Sequence, residues 1–132
     1  MHWLLAAVTP WHVLIMDSLT WDIGMRRTEI SNVFSYIQHL VTKFHLPERH
    51  QKLIYKVLKV PQQPILSNNC GIYVYFFLKH FLEEIEIYED DPNRYCEIVH
   101  NWFPDEVAEQ KRTDQRRYLQ ALISMEKYKT TK

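Results

Sequence analysis

The sequence has little glycine and no excess of charge of either sign, and both shortages exclude classes of protein. Only two glycines are present, Gly24 and Gly71, whereas the dinucleotide fingerprint needs three close together and the Walker loop needs two ahead of a lysine. Sixteen Lys and Arg residues against sixteen Asp and Glu residues give zero formal charge, so no overall positive field attracts nucleic acid or an anionic membrane. We therefore expect no nucleotide-binding loop of either kind, no nucleic-acid partner and no membrane partner.

Cysteine and long apolar runs are also scarce. The two cysteines, Cys70 and Cys96, are too few for a disulfide framework, and the first residues do not form the pattern of a secretory signal. We therefore expect a reducing compartment, either the nucleus or the cytoplasm. The apolar runs stop short of the about 18 residues that a membrane span needs, which predicts a soluble protein.

The composition that remains is that of an ordinary globular domain. The chain has 132 residues, of which 46% are hydrophobic and 24% charged, and this is enough to form one hydrophobic core. The sequence has no internal repeat, low-complexity tract or linker. It therefore predicts a single domain over residues 1–132.

Hydrophobic periodicity predicts an α+β fold. Residues 3–16 form two apolar runs separated by Pro10-Trp11, which favours a β-hairpin, and residues 53–60 are typical of a further strand. Apolar residues recur at helical spacing from Thr28 until Pro47 forbids continuation. We expect a small, mainly antiparallel sheet made from residues 3–60.

The second half of the chain predicts helices. Residues 70–84 are apolar almost all round, as in a central helix on which the sheet packs, and Asn68 or Asn69 could cap its start. Pro92 can open a short helix, and residues 105–128 form a charged helix after Pro104. These C-terminal helices are expected to cover another face of the domain. The expected inner face of the last one is Val107, Tyr118, Leu122 and Met125.

Cys70 is the first candidate for chemistry. A thiol at the N-terminal end of a helix faces unpaired backbone N–H groups and the positive end of the helix dipole, and both favour the thiolate. Gly71 lets a substrate backbone approach, while the side-chain amides of Gln62 and Gln63 stand just upstream and could line an oxyanion hole. The pattern therefore indicates a nucleophile.

A base for this nucleophile must come from elsewhere in the chain. His2 lies at the start of one hairpin strand and Asp17 lies at the end of the other. Antiparallel pairing brings those two ends together. The three side chains would then form the nucleophile, base and orienting carboxylate of a thiol hydrolase.

These residues, in this order, resemble a known family. The chain is similar to the ubiquitin-like-specific cysteine proteases of the Ulp/SENP type, which process and remove SUMO, and the similarity covers most of the sequence. The segments that carry it are His2-Trp3, Asp17-Ser18, Pro61-Gln62-Gln63, Asn69-Cys70-Gly71-Ile72-Tyr73-Val74 and Asn101-Trp102-Phe103-Pro104.

The resemblance implies a role for each matching residue. It implies a papain-like fold, a catalytic triad of His2, Asp17 and Cys70, and an oxyanion hole that includes Gln63. It also implies that Trp3 roofs a narrow tunnel which only a Gly-Gly terminus can thread. The implied reaction is thiol-dependent cleavage after Gly-Gly, releasing SUMO or another ubiquitin-like protein from its conjugates.

The sequence departs from the family pattern in ways that leave alternatives open. Only Met1 precedes His2, so the chain resembles the C-terminal part of such a catalytic domain without its N-terminal portion. The segment from Gln63 to Cys70 is one residue longer than the family pattern, which leaves Gln62 as the alternative oxyanion donor. The alternative function is a truncated or inactive protease-like module that binds a ubiquitin-like protein. An unrelated helical interaction domain is a third interpretation, if the match is accidental.

No metal or cofactor is expected. Cys96 and His100 are four residues apart, a spacing compatible with zinc, but two ligands do not make a zinc site and the sequence offers no second pair.

Overall fold

The structure, a computed structural model, describes residues 1–45 and 54–131. The predicted elements occur in the predicted order, but the helix over Ile85–Asp90 was not predicted. The predicted end of the first helix at Pro47 and the predicted start of the third strand at Leu53 lie outside the described residues. The strands are β1 (Leu5–Val8), β2 (His12–Met16) and β3 (Ile54–Val57), and a 3₁₀ turn (Ile23–Arg26) precedes the first helix. The helices are α1 (Arg27–Phe44), α2 (Cys70–Glu83), α3 (Ile85–Asp90), α4 (Pro92–Tyr95) and α5 (Asp105–Thr131).

The described sheet is mixed, so the expectation of a mainly antiparallel sheet is wrong. Its strand order is β1-β2-β3, with β1 and β2 antiparallel and β2 and β3 parallel. The reason is the connection: α1 intervenes between β2 and β3, and a helical crossover returns the chain to run in the same direction. The α+β class itself agrees with this small sheet and its helices.

The central strand β2 is buried on both faces. Val13 and Ile15 pack with Ile37 and Val41 of α1 in one cluster. Leu14 and Met16 belong to a second cluster with the aromatic residues of α2 and the segments that follow it. This two-sided burial explains the uninterrupted apolar run from Val13 to Met16, since a strand covered on one face would alternate.

The C-terminal helix does not bury the face that periodicity predicts. Ala108 in its first turns is fully buried, but the four expected inner residues are exposed by 40% (Leu122) to 65% (Tyr118). For the three of these residues that lie beyond Ala108 the physical reason is length: a helix of 27 residues is about 40 Å long, and its C-terminal part continues past the core. The apolar residues beyond Ala108 therefore remain at the surface in the described part of the chain.

Candidate active site

The hairpin places His2 beside Asp17. Leu5 at the start of β1 pairs with Met16 at the end of β2, so the residues just outside these positions share one end of the sheet. His2 Nε2 lies 2.7 Å from Asp17 Oδ1. The Asp17 side chain is only 1% exposed, whereas that of His2 is 22% exposed. The predicted proximity of these two side chains is therefore present in the structure.

The Asp17 carboxylate is held ionised by its partners. Burial by itself raises the pKa of Asp17, but hydrogen bonds from Arg26, from the Leu19 amide and from His2 outweigh burial and hold the pKa below its ordinary value. Because an ionised Asp17 carboxylate can only accept hydrogen bonds, His2 Nε2 must be the donor in the hydrogen bond between them. The other ring nitrogen of His2, Nδ1, is then the one that can accept a proton.

Arg26 is a site residue that the sequence interpretation missed. Its Nε donates to Asp17 Oδ2, and its side chain is 17% exposed. The 3₁₀ turn aims it there, with the Asp22 side chain capping that turn through Gly24 N at 2.9 Å. No periodic signal marks an arginine nine positions after Asp17, so this contact is seen only in the three-dimensional structure.

Cys70 begins α2, as predicted, and is buried at 9% exposure. It lines a cavity of about 580 Å³ together with His2, Trp3 and Gln63. No hydrogen bond among the described residues joins His2 to Cys70. A Cβ built on the neighbouring Gly71 meets nothing within 4 Å, so the cavity is open beside the thiol.

Asn69 occupies the N-cap position of α2, but its side chain does not cap the helix, so that expectation is wrong. Its amide nitrogen donates to Glu109 Oε1. Its carbonyl oxygen accepts from Arg112 Nη1 at 3.1 Å. The fully buried Asn69 therefore fastens the residue before Cys70 to α5, because the α5 side chains compete successfully with the backbone for its polar atoms.

The two glutamines have different environments. Gln63 is 8% exposed and lines the cavity; its Oε1 accepts from Ser18 Oγ and its Nε2 donates to Ser67 O at 2.7 Å. Gln62 is exposed, and its Nε2 donates to Asp17 O at 2.8 Å. Only Gln63 therefore shares the cavity with Cys70, and its amide carries a second hydrogen in addition to the one given to Ser67.

Trp3 lies at the cavity wall and is 58% exposed. Leu66 lines the same cavity, is 95% exposed and has a φ of 70°. Neither side chain is fixed by burial, so both are available to contact a ligand entering the cavity. Leu66 is a second residue that the sequence interpretation missed, since a positive φ at leucine has no sequence signature.

Cys96 and His100 belong to the core instead of the cavity. Burial raises the pKa of the Cys96 thiol, and it lowers the pKa of His100, whose Nε2 lies 3.1 Å from Tyr95 O. Residues 1–45 and 54–131 contain no group of three or more His, Cys, Asp or Glu side chains arranged to hold a metal ion. In the same ranges, no helix is long and apolar enough to cross a membrane.

Comparison with protein families gives one match. Residues 1–119 match the model of the Ulp1 protease family, C-terminal catalytic domain. Searches of curated proteins and of solved structures found no match. The matched range contains all the cavity residues described above.

Proposed function

The chain belongs to the Ulp1 protease family, a family of cysteine proteases, and from this premise we propose that it is a thiol protease with a papain-like fold that removes SUMO-like modifiers. The proposed reaction is hydrolysis of the isopeptide bond after the Gly-Gly terminus of the modifier. The observation that carries it is the His2–Asp17 pair at 2.7 Å, because His2 lines the same cavity as Cys70. We further propose that it works in the nucleus or cytoplasm, where thiols stay reduced.

In the proposed mechanism, His2 Nδ1 accepts the proton of the Cys70 thiol. The thiolate attacks the isopeptide carbonyl, and the resulting oxyanion accepts hydrogen bonds from the Cys70 backbone N–H and the Gln63 amide. The protonated His2 then donates its proton to the leaving lysine amine, which leaves a thioester on Cys70. Finally His2 activates a water molecule, which hydrolyses the thioester and frees the thiol.

Asp17 has two tasks in this mechanism. It accepts from His2 Nε2, which directs Nδ1 toward the thiol, and its negative charge stabilises the imidazolium that forms during attack. The contact with Arg26 supports the first task because it holds the second carboxylate oxygen. The lowered pKa of Asp17 supports the second because the carboxylate is charged at neutral pH.

Substrate selection is proposed to act at the cavity entrance. The flat indole of Trp3 can lie over an extended chain, and glycine is the residue that adds no side chain beneath such a lid. The free space beside Gly71 supports a close approach of the substrate backbone to Cys70. This arrangement favours a Gly-Gly terminus over termini with larger side chains.

Labelling with SUMO that carries a C-terminal electrophile tests the proposal. The protein should form a covalent adduct on Cys70, and Cys70→Ser should abolish it. Cys96→Ser is the matched control and should label at the wild-type rate, because Cys96 is buried outside the cavity. Ubiquitin with the same electrophile tests which modifier is preferred. The proposed enzymatic activity would be contradicted by two results together: the wild-type protein fails to label, and Cys70 reacts with a small alkylating agent no faster than Cys96 does.

One observation favours the alternative of a binding module without catalysis. His2 and Cys70 share the cavity but no hydrogen bond joins them, so the proton transfer requires movement of one side chain. If the protein is a binding module, wild type and Cys70→Ser should bind unmodified SUMO with the same affinity. Neither should release a lysine amine from a SUMO conjugate. Titration calorimetry and a gel-based cleavage assay separate the two functions.

A further inference from the structure

The helix that carries Cys70 begins without a side-chain cap. Asparagine is among the residues that best cap a helix, and its side-chain oxygen then accepts from the backbone N–H two or three positions later. Asn69 occupies the capping position of α2, but its side chain bonds neither of these N–H groups. Among residues 1–45 and 54–131, no hydrogen bond uses the backbone N–H of Cys70, Gly71 or Ile72. The start of α2 therefore keeps three free donors, and the partial positive charge that they carry, beside the Cys70 thiol.

Two side chains of α5 hold the Asn69 amide instead. Glu109 Oε1 accepts from Asn69 Nδ2, and Arg112 Nη1 donates to Asn69 Oδ1 at 3.1 Å. A carboxylate can only accept and a guanidinium can only donate, so these partners fix the orientation of the amide. Hydrogen bonds to charged groups are also stronger than a bond to a neutral backbone N–H. The oxygen that would cap α2 is therefore kept away from the helix.

The first turns of α5 are themselves fixed against α2. Ala108 is fully buried, and Asp105 Oδ1 accepts from Tyr73 Oη at 2.7 Å. Asp105, Glu109 and Arg112 stand at positions i, i+4 and i+7, so they share one face of α5. This face contacts the first turn of α2 and the residue that precedes it. The two contacts with the amide are thus made from a helix whose own position is set by packing.

The residues of this contact lie outside the cavity. Cys70 and Gly71 line the cavity, whereas Asn69, Glu109 and Arg112 are absent from the part of its wall that the described residues form. Any influence of these three side chains on the chemistry must then pass through the start of α2. Such an influence changes the rate of the chemical step and leaves the binding of substrate unaltered.

We propose that Glu109 and Arg112 are positioning residues for Cys70. By holding the Asn69 amide they prevent it from capping α2, and the free N–H groups at the start of the helix stabilise the Cys70 thiolate and the oxyanion. The effect on the oxyanion rests on the proposed thiol-protease function. The effect on the thiolate needs no substrate.

Glu109→Ala combined with Arg112→Ala tests the proposal in the full chain. The released Asn69 amide loses both partners, which favours a new bond from the Ile72 N–H to its oxygen. Alkylation of Cys70 by iodoacetamide at pH 7 should slow about three- to tenfold, because the thiolate is the reacting form. For a SUMO conjugate, kcat should fall by a similar factor while KM stays within about twofold. Hydrogen exchange of the Ile72 amide should also slow, since this amide becomes bonded.

Adding Asn69→Ala to the double variant separates positioning from a structural role. Alanine has no side-chain oxygen and cannot cap the helix. The triple variant should therefore regain the alkylation rate and kcat of wild type to within about twofold, together with fast exchange of the Ile72 amide. If the α5 contacts only stabilise the fold, the triple variant should instead stay as slow as the double variant.

Glu106→Ala combined with Arg116→Ala is the matched control. Both residues are exposed on α5, and their removal deletes the same two types of charge without touching Asn69, so alkylation and kcat should not change. Arg112→Ala alone is a milder variant that still frees the amide oxygen, and far-UV circular dichroism checks that each variant is folded.

Two results would overturn the proposal. One is alkylation of the double variant and of Arg112→Ala at the wild-type rate, and the other is a triple variant that is no faster than the double variant. If wild type cleaves no SUMO conjugate but alkylation follows the expected pattern, the proposed function fails and the positioning of Cys70 by α5 is supported.

Discussion

Replacing Arg26 by Gln should destabilise the protein in a way that depends on pH. The change removes the charged partner of a carboxylate that is 1% exposed, whereas the Arg26 side chain is 17% exposed. Breaking a fully buried ion pair costs about 3–5 kcal/mol. Because Arg26 is partly solvated and Asp17 keeps its bonds to His2 and Leu19, we expect about 2–3 kcal/mol.

The pH dependence follows from the lowered pKa of Asp17. A carboxylate whose pKa is lower in the folded state adds stability above its unfolded pKa of about 3.9, and this stability is lost as the pH falls through the folded pKa. The difference in free energy of unfolding between wild type and Arg26→Gln should therefore be constant from about pH 5 to 7. It should begin to shrink below about pH 4, where Asp17 of the unfolded chain becomes protonated, and should disappear as the pH falls through the lower folded pKa.

Urea unfolding followed by circular dichroism at pH 7 and at pH 3.5 measures this difference. With a slope of about 2 kcal/mol per molar urea, the midpoint should fall by about 1–1.5 M at pH 7. Arg27→Gln is the matched control, since Arg27 is exposed and its change should stay within about 0.5 kcal/mol. A loss of the same size at both pH values would refute the reasoning, because it would show that Arg26 acts by packing alone.

Four other substitutions test the site and the core. Gln63→Ala should lower turnover of a SUMO conjugate by about 100-fold, whereas Gln62→Ala should lower it by less than about tenfold; equal effects would contradict the assignment of the oxyanion donor. Phe77→Ala should cost about 3–5 kcal/mol in urea unfolding because Phe77 is fully buried against Trp102 and other rings; a cost under about 1 kcal/mol would contradict the packing. Tyr88→Phe should cost about 1–3 kcal/mol because its buried hydroxyl bonds Thr9 Oγ1 at 2.6 Å, and unchanged unfolding would show that this bond contributes nothing.

Much of the site could be predicted because its chemistry follows from local patterns. The start of α2 at Cys70 follows from an apolar run preceded by polar loop residues, and the proximity of His2 and Asp17 follows from hairpin geometry alone. The proposed choice of Gln63 over Gln62 as the oxyanion donor could not be made in this way. It depends on which side chain turns toward the cavity, and that is decided by the Ser18 and Ser67 contacts of Gln63.

Hydrophobic periodicity predicted most of the helices and strands and their order, because it reports whether each segment buries one face, both faces or none. It did not predict α3. Tertiary packing determined four features that periodicity does not report: the parallel pairing of β3, the contact of Arg26 with Asp17, the use of Asn69 to hold α5 and the exposure of the apolar face around Leu122. Each of these depends on which distant surface lies opposite a residue. Periodicity indicates whether a side chain is buried or exposed. Which residue it contacts depends on the packing of the whole chain.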